Sequence, residues 1–271
     1  MTESRSEEYR QWIRRFHPRP DASIRLICLP HAGGAAPAYF PTSAAMTPEV
    51  EVLAVQYPGR QERRLEPLID SIDGLADELF RVLLPDTGRP FALFGHSMGA
   101  MVAFELALRF EQVGRRPLHL FASGRRAPSR RREEDHQGLD DESLIAELKQ
   151  LSGTDKRLFA QDELLRASLP AIRNDYLAAA TYVNRPGTVI SCPITVLVGD
   201  TDPRVTADEA RSWREHTTAR SEVLTYPGGH FYLTEHRDGV VSAIAQRLAV
   251  PHGGTASGTR LRGLATAAPG E

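Results

Sequence analysis

A serine lies in the pentapeptide Gly95-His96-Ser97-Met98-Gly99. An apolar run, Pro90-Phe91-Ala92-Leu93-Phe94, precedes it, and an apolar helical pattern from Ala100 to Val113 follows. G-x-S-x-G between a strand and a helix makes a sharp turn that pushes the serine hydroxyl out over the end of a sheet. In so tight a turn, any side chain at Gly95 or Gly99 would strike the neighbouring strand and helix. The pentapeptide thus constrains fold and chemistry together. It demands a strand–turn–helix unit, and it presents a serine as the nucleophile of an acyl transfer.

The rest of the chain supplies a sheet for that unit. Six apolar runs read as strands: Ile24–Leu29, Val50–Gln56, Phe91–Phe94, Leu118–Ala122, Ile194–Val198 and Glu222–Tyr226. Most are continuously apolar, the mark of strands covered on both faces in a parallel sheet. Helical patterns separate them, at Ile72–Leu84 after Ser71, Ala100–Val113, Ala207–His216 and Thr234–Leu248. Thr206 and Glu209 form a capping box before the third. The expected class is α/β, a mostly parallel doubly wound sheet over residues 21–250. Its rhythm breaks once. Residues 125–190 contain no strand but two helical patterns, near Asp141–Leu151 and Asp162–Tyr182. This helical insertion is expected at the C-terminal edge of the sheet, where ligands bind in such folds, which makes it a candidate lid. Residues 1–20 and 251–271 are polar, lack apolar periodicity, and are expected to be a flexible N-terminus and a disordered tail.

Composition excludes several functions. A net charge of −2 over 271 residues gives no drive toward nucleic acid or an anionic membrane. No apolar run approaches a membrane span, and the charged first residues have no apolar signal core, so a soluble cytoplasmic protein is expected. Lys149 and Lys156 are the only lysines, and neither lies in a phosphate-binding loop. Cys28 and Cys192 sit beside strand-like runs and read as reduced, buried thiols. The histidines are not spaced as metal ligands, so neither a metal nor a cofactor is expected.

A serine hydroxyl needs a base, and the base needs a third group to orient it. The order Ser, acid, His is present here. Val196-Leu197-Val198-Gly199 is a strand end followed by Asp200 and Asp202, and Tyr226-Pro227-Gly228-Gly229-His230 brings a histidine after the last strand. Asp202, which precedes Pro203, is the favoured acid and Asp200 the alternative. The oxyanion needs two backbone N–H donors. Met98, after the nucleophile, offers one. Leu29-Pro30-His31-Ala32-Gly33-Gly34 offers the other at Ala32, its glycines letting the backbone bend.

At these residues the chain resembles the type II thioesterases of polyketide and non-ribosomal peptide assembly lines, members of the α/β-hydrolase superfamily. The resemblance runs from about Arg25 to Leu248. It rests on His31-Ala32-Gly33-Gly34, Tyr57-Pro58-Gly59-Arg60 with Arg63, Phe94 to Gly99, Gly199 to Pro203, and Gly228 to Phe231. It implies a stand-alone editing enzyme that removes stalled or aberrant acyl groups from the phosphopantetheine arm of an acyl or peptidyl carrier protein. Ser97 would be the nucleophile, His230 the base, Asp202 its orienter, Ala32 and Met98 the oxyanion hole, and the insertion a lid over the acyl channel. A monomer is expected.

Two further readings stay open. Arg125, Arg126, Arg130, Arg131 and Arg132 either dock an acidic carrier or form a solvated loop balanced by Glu133, Glu134 and Asp135. The function could also be that of a general carboxylesterase or lipase, or of a non-catalytic binding protein on a hydrolase fold.

Overall fold

Each of the six apolar runs is a strand in the computed structural model, which describes residues 3–132, 140–151 and 162–248. They are β2 (Ile24–Leu29), β3 (Val50–Val55), β4 (Phe91–His96), β5 (Leu120–Ser123), β6 (Ile194–Gly199) and β7 (Ser221–Tyr226). All six run parallel, in the order β3-β2-β4-β5-β6-β7. Every residue of β3, β4, β5 and β6 is buried, as continuous apolar runs require.

The helices cover both faces. The sheet packs into two apolar clusters. One holds Leu93, Val102, Phe104 and Trp213, the other Leu26, Phe94, Phe121 and Ile244. Helix α3 (Ile72–Leu83) starts at Ser71, whose hydroxyl accepts from the Gly74 amide. Helix α4 (Met98–Gln112) is buried nearly all round, which explains why it is apolar all round rather than striped. Helix α7 (Ala207–Arg211) carries the Thr206–Glu209 capping box, and a 3-10 turn continues it to His216. The expected last helix is two, α8 (Tyr232–Glu235) and α9 (Arg237–Leu248). A short helix α2 (Phe40–Ala45) follows the β2 loop.

The chain leaves β2 to form β3 on one side, then crosses back to form β4 on the other. Leu29 pairs with Gly95, so the loops after β2 and β4 emerge side by side. This reversal of strand order opens a crevice at the carboxyl ends of the strands.

The expected flexible N-terminus is corrected for residues 3–14. Helix α1 (Glu3–Trp12) leads into β1 (Ile13–Arg14), which adds an antiparallel edge to β3 through Ile13 and Val55. Trp12 and Ile13 are 4% and 3% exposed, and the Arg63 guanidinium lies 4.4 Å from the Trp12 ring centroid. Arg15 Nε and the Arg19 amide both donate to Glu51, a carboxylate buried inside β3. The segment's low mean hydropathy conceals two large anchors. Once they are buried, the polar residues around them pair with the domain surface. The proposed tail, 251–271, lies outside the described residues.

Among its described residues the insertion carries two helices and no strand, as expected. Helices α5 (Asp141–Leu151) and α6 (Asp162–Thr181) share a small core of Leu144, Ile145, Leu169 and Ile172. Asn174 Nδ2 donates to Ile69 O, and Tyr182 OH, just past α6, donates to the buried Glu105 of α4. Cys28 and Cys192 are free and buried. Among the described residues no helix is long and apolar enough to cross a membrane.

Candidate active site

Ser97 occupies the turn between β4 and α4 with φ 54° and ψ −116°. A non-glycine residue in that region carries roughly 1–3 kcal/mol of strain, which the surrounding structure must offset. The Ser97 amide donates to Ser123 O at 2.8 Å, anchoring the turn to β5. A Cβ on Gly95 would fall 2.1 Å from Gly99 O, and one on Gly99 would fall 2.1 Å from Leu29 O. Both glycines are therefore required by backbone contact, and the second contact locks α4 against the end of β2. Ser97 itself stays partly exposed.

Met98 is the first residue of α4, where an amide has no acceptor within the helix. Ala32 lies in the turn after β2, closed by the Gly34 amide on His31 O at 2.8 Å. Gly33 has φ 73°, a left-handed conformation natural to glycine. Because β2 and β4 are neighbours, this turn and the serine turn border one crevice.

The structure separates the two aspartates. Asp202 is buried, and His230 Nδ1 donates to its Oδ2 at 2.9 Å and its Oδ1 at 3.1 Å. Asp202 Oδ1 also accepts from the Arg204 amide at 2.8 Å. Asp200 is exposed, and its Oδ1 accepts from the Gly228 amide at 2.9 Å, which shapes the histidine loop instead. Gly199 is what lets the two loops meet: a Cβ there would lie 2.2 Å from Gly228 O. With the Nδ1 proton directed at Asp202, the His230 Nε2 lone pair is left to act as a base.

Three imidazoles crowd the strand ends. The His96 ring lies 5.1 Å from His230 and 5.8 Å from His31. His96 Nδ1 is 2.9 Å from Ser123 Oγ, which is 2.6 Å from Tyr232 OH, a chain of polar contacts beneath the crevice. Burial is the first cause that pushes His96 well below the usual imidazole range, and the nearby His230 and His31 add to it. Burial likewise holds His31 down to about 4, with His230 and Arg60 contributing. Both rings are therefore neutral near pH 7 and do not compete as charged acids. Ser123 and Tyr232 were not singled out from the sequence, because a strand serine and a helix tyrosine carry no motif.

The arginine cluster is largely spoken for. Arg126 is buried and donates to Arg130 O and Arg204 O. Arg130 pairs with Glu215, and Arg132 makes a two-point ion pair with Glu209. Arg125 holds Trp213 Nε1 through its carbonyl. Acids of the 207–216 segment thus neutralise two of the five, and of the group only Arg131 is exposed with no ion pair among the described residues. Glu133, Glu134 and Asp135 lie outside those residues. A shallow depression lies between this loop and α6, lined by Met101, Arg131, Ala179 and Tyr182 but by neither Ser97 nor His230.

Among the described residues no group of three His, Cys, Asp or Glu is placed to hold a metal. The groups at hand are a strained serine, a buried His–Asp pair and backbone donors, the set used in acyl transfer.

The family model of the thioesterase domain matches residues 24–248, the whole sheet from β2 onward together with the insertion. This chain belongs to the thioesterase family. The thioesterase is similar to thioesterase PikA5 of Streptomyces venezuelae, 48% identical over 89% of this chain and 87% of that one. It is also similar to a probable cadicidin biosynthesis thioesterase of Streptomyces griseus, 48% identical over 88% of this chain and 66% of the relative. Among solved structures it resembles the type II thioesterase BorB from the borrelidin biosynthetic cluster. That match has a TM-score of 0.84 and 53% identity, covering 88% of this chain and 97% of that one. RedJ, a thioesterase from the prodiginine pathway of Streptomyces coelicolor, matches with a TM-score of 0.80 and 33% identity, over 85% and 87% of the two chains. The resemblance to type II thioesterases and the α/β-hydrolase fold are thereby borne out, and the enzyme is a serine-type thioester hydrolase.

Proposed function

We propose that this thioesterase hydrolyses stalled or aberrant acyl thioesters from the phosphopantetheine arm of acyl or peptidyl carrier proteins. The observation that carries the reading is the buried Asp202–His230 pair, whose imidazole lies 5.1 Å from the ring of His96, the residue before the strained Ser97. It is supported by the likeness to type II thioesterases of biosynthetic clusters.

His230 Nε2 takes the Ser97 proton as Oγ attacks the thioester carbonyl. Asp202 stabilises the imidazolium that forms. The amides of Ala32 and Met98 receive the developing oxyanion. The C–S bond breaks, the proton on His230 passes to the departing thiol, and an acyl-serine remains. Water then gives its proton to His230 and attacks the ester, releasing the acid and restoring Ser97. No step calls on a metal or a redox group. The insertion acts as the lid, with α6 closing one side of the crevice.

The test is hydrolysis of a panel of acyl-carrier proteins beside acyl-CoA and simple esters, with Ser97→Ala as the inactive reference. The reading requires the carrier thioesters to have the highest kcat/KM. Equal or better turnover of free esters would replace it with a general esterase.

A further inference from the structure

Pro58-Gly59-Arg60 is prominent in the sequence, yet the mechanism above gives Arg60 no role. The guanidinium is 7% exposed and points inward. Arg60 Nη1 donates to Pro58 O at 2.6 Å, and Nη2 donates to Asp175 Oδ2. Asp175 belongs to α6 of the insertion, 115 residues further along the chain, and is 1% exposed. The same Oδ2 accepts from the Gly33 amide at 2.7 Å.

Thus one carboxylate oxygen joins three separate segments: the Ala32–Gly33 turn, the Pro-Gly-Arg turn and the insertion helix. Two more contacts fasten the same loop. Gln56 Oε1 accepts from the Ala36 amide at 3.0 Å, while Gln56 Nε2 donates to Arg60 O at 3.4 Å. Ile172, one turn before Asp175, lies where a Cβ on Gly33 would be, 2.4 Å from Cγ1. The loop after β2 is therefore gripped at Gly33 by α6 and at Ala36 by Gln56.

Stability alone does not call for such a pair. Asp175 Oδ1 and Arg60 Nε are buried and make no hydrogen bond among the described residues. Buried ion pairs with unsatisfied atoms are generally no more stable than apolar packing of the same shape. Their advantage is directional: a charged acceptor fixes an amide more tightly than any apolar contact does.

We infer that Asp175 is a positioning residue for the oxyanion loop, holding the Gly33 amide while Arg60 balances its charge, so that Ala32 is aimed at the reacting carbonyl when α6 is docked. The inference rests on the reading above that Ala32 donates to the oxyanion. It makes the insertion part of the catalytic geometry as well as its cover. Arg60 stays cationic in this role, although burial lowers it to about 10.

The experiment uses the full chain with Asp175→Asn and Asp175→Ala. It measures p-nitrophenyl ester hydrolysis and the rate at which a fluorophosphonate modifies Ser97, both per titrated active site. Phosphonylation also builds negative charge on an oxygen in the hole, so it reads the donor without needing a carrier protein. Loss of one oxyanion donor costs about a hundredfold or more in kcat. We expect kcat to fall about tenfold in Asp175→Asn, which keeps one oxygen for Gly33, and about a hundredfold in Asp175→Ala. The phosphonylation rate falls in parallel, and KM stays within about twofold, because ground-state binding is untouched.

A purely structural role would lower Tm without lowering turnover per titrated site. The inference is overturned if kcat and phosphonylation in Asp175→Asn stay within about twofold of the parent, or if KM alone rises. Should Asp175→Ala not fold, the near-isosteric Asn variant decides. If the parent hydrolyses esters but no carrier thioester, the proposed substrate falls while the positioning role stands on the ester data. If parental Ser97 does not react at all, both fall.

Discussion

Both oxygens of Asp202 lie within 3.1 Å of His230 Nδ1, whereas Asp200, two residues earlier, faces solvent and holds the Gly228 amide. Strand β6 ends at Gly199, and the turn that follows carries Asp200 outward and Asp202 inward. The difference assigns the two carboxylates unequal tasks. In Asp202→Asn, His230 would favour the wrong tautomer, and kcat should fall by about 10³–10⁴. Asp200→Asn should leave kcat within about threefold and cost about 1 kcal/mol of stability through the Gly228 contact. Steady-state kinetics on a single thioester, with chemical denaturation of both variants, checks the pair.

Gly99→Ala places a methyl group against Leu29 O, a backbone atom that cannot move without shifting β2. The substitution should cost about 3 kcal/mol or more. Gly88→Ala is the control: nothing lies within 4 Å of a Cβ built there, and its stability should change by less than about 0.5 kcal/mol. Urea denaturation of the two variants makes the comparison.

Histidine burial sets an acid limit on stability. His119, stacked on Phe121, is held down to about 4, chiefly by burial; His31 lies at about 4 and His96 well below its usual range. Each binds a proton in the unfolded chain near pH 6.5 but resists it when folded. Between those values the unfolded state carries more protons, so stability is full above about pH 6.5 and declines as pH falls toward 4. His119→Phe should flatten the slope of unfolding free energy over that window. An unchanged slope would mean that this ring is protonated as readily folded as unfolded.

The N-terminal anchor is equally open to measurement. Trp12→Ala removes a ring that is 4% exposed and packed against Arg63, and should cost about 3–5 kcal/mol. Hydrogen exchange should quicken along β1 and the facing edge of β3. If exchange there were already at the rate of an unstructured chain in the parent, the packing of residues 3–14 would be wrong.

The six parallel strands, the serine turn and the two insertion helices were legible because each depends on residues close in sequence. A continuous apolar run is a buried strand wherever it lies, and glycines at 95 and 99 are demanded by a turn only five residues long. The N-terminal strand was not legible. Its signal is two large residues in a polar segment, and they gain weight only where β3 leaves an open edge for them.

The partners of the arginine cluster were hidden for a related reason. In the sequence its nearest acids are Glu133, Glu134 and Asp135. In the fold, Arg130 and Arg132 meet Glu215 and Glu209, more than seventy residues away. Asp175 left only a faint trace, a lone acid three residues after Ile172 on the apolar side of a helix, with an unassigned arginine at position 60 to answer it.

The sequence by itself determined the fold class, the order of serine, acid and histidine, and the family to which the motifs point, since these depend on local pattern and chain order. Only the tertiary structure decided which aspartate faces His230, which arginines are neutralised, and that the insertion reaches the Gly33 amide through Asp175. Those are contacts between segments brought together by strand order, where direction and burial, rather than residue type, select the partner.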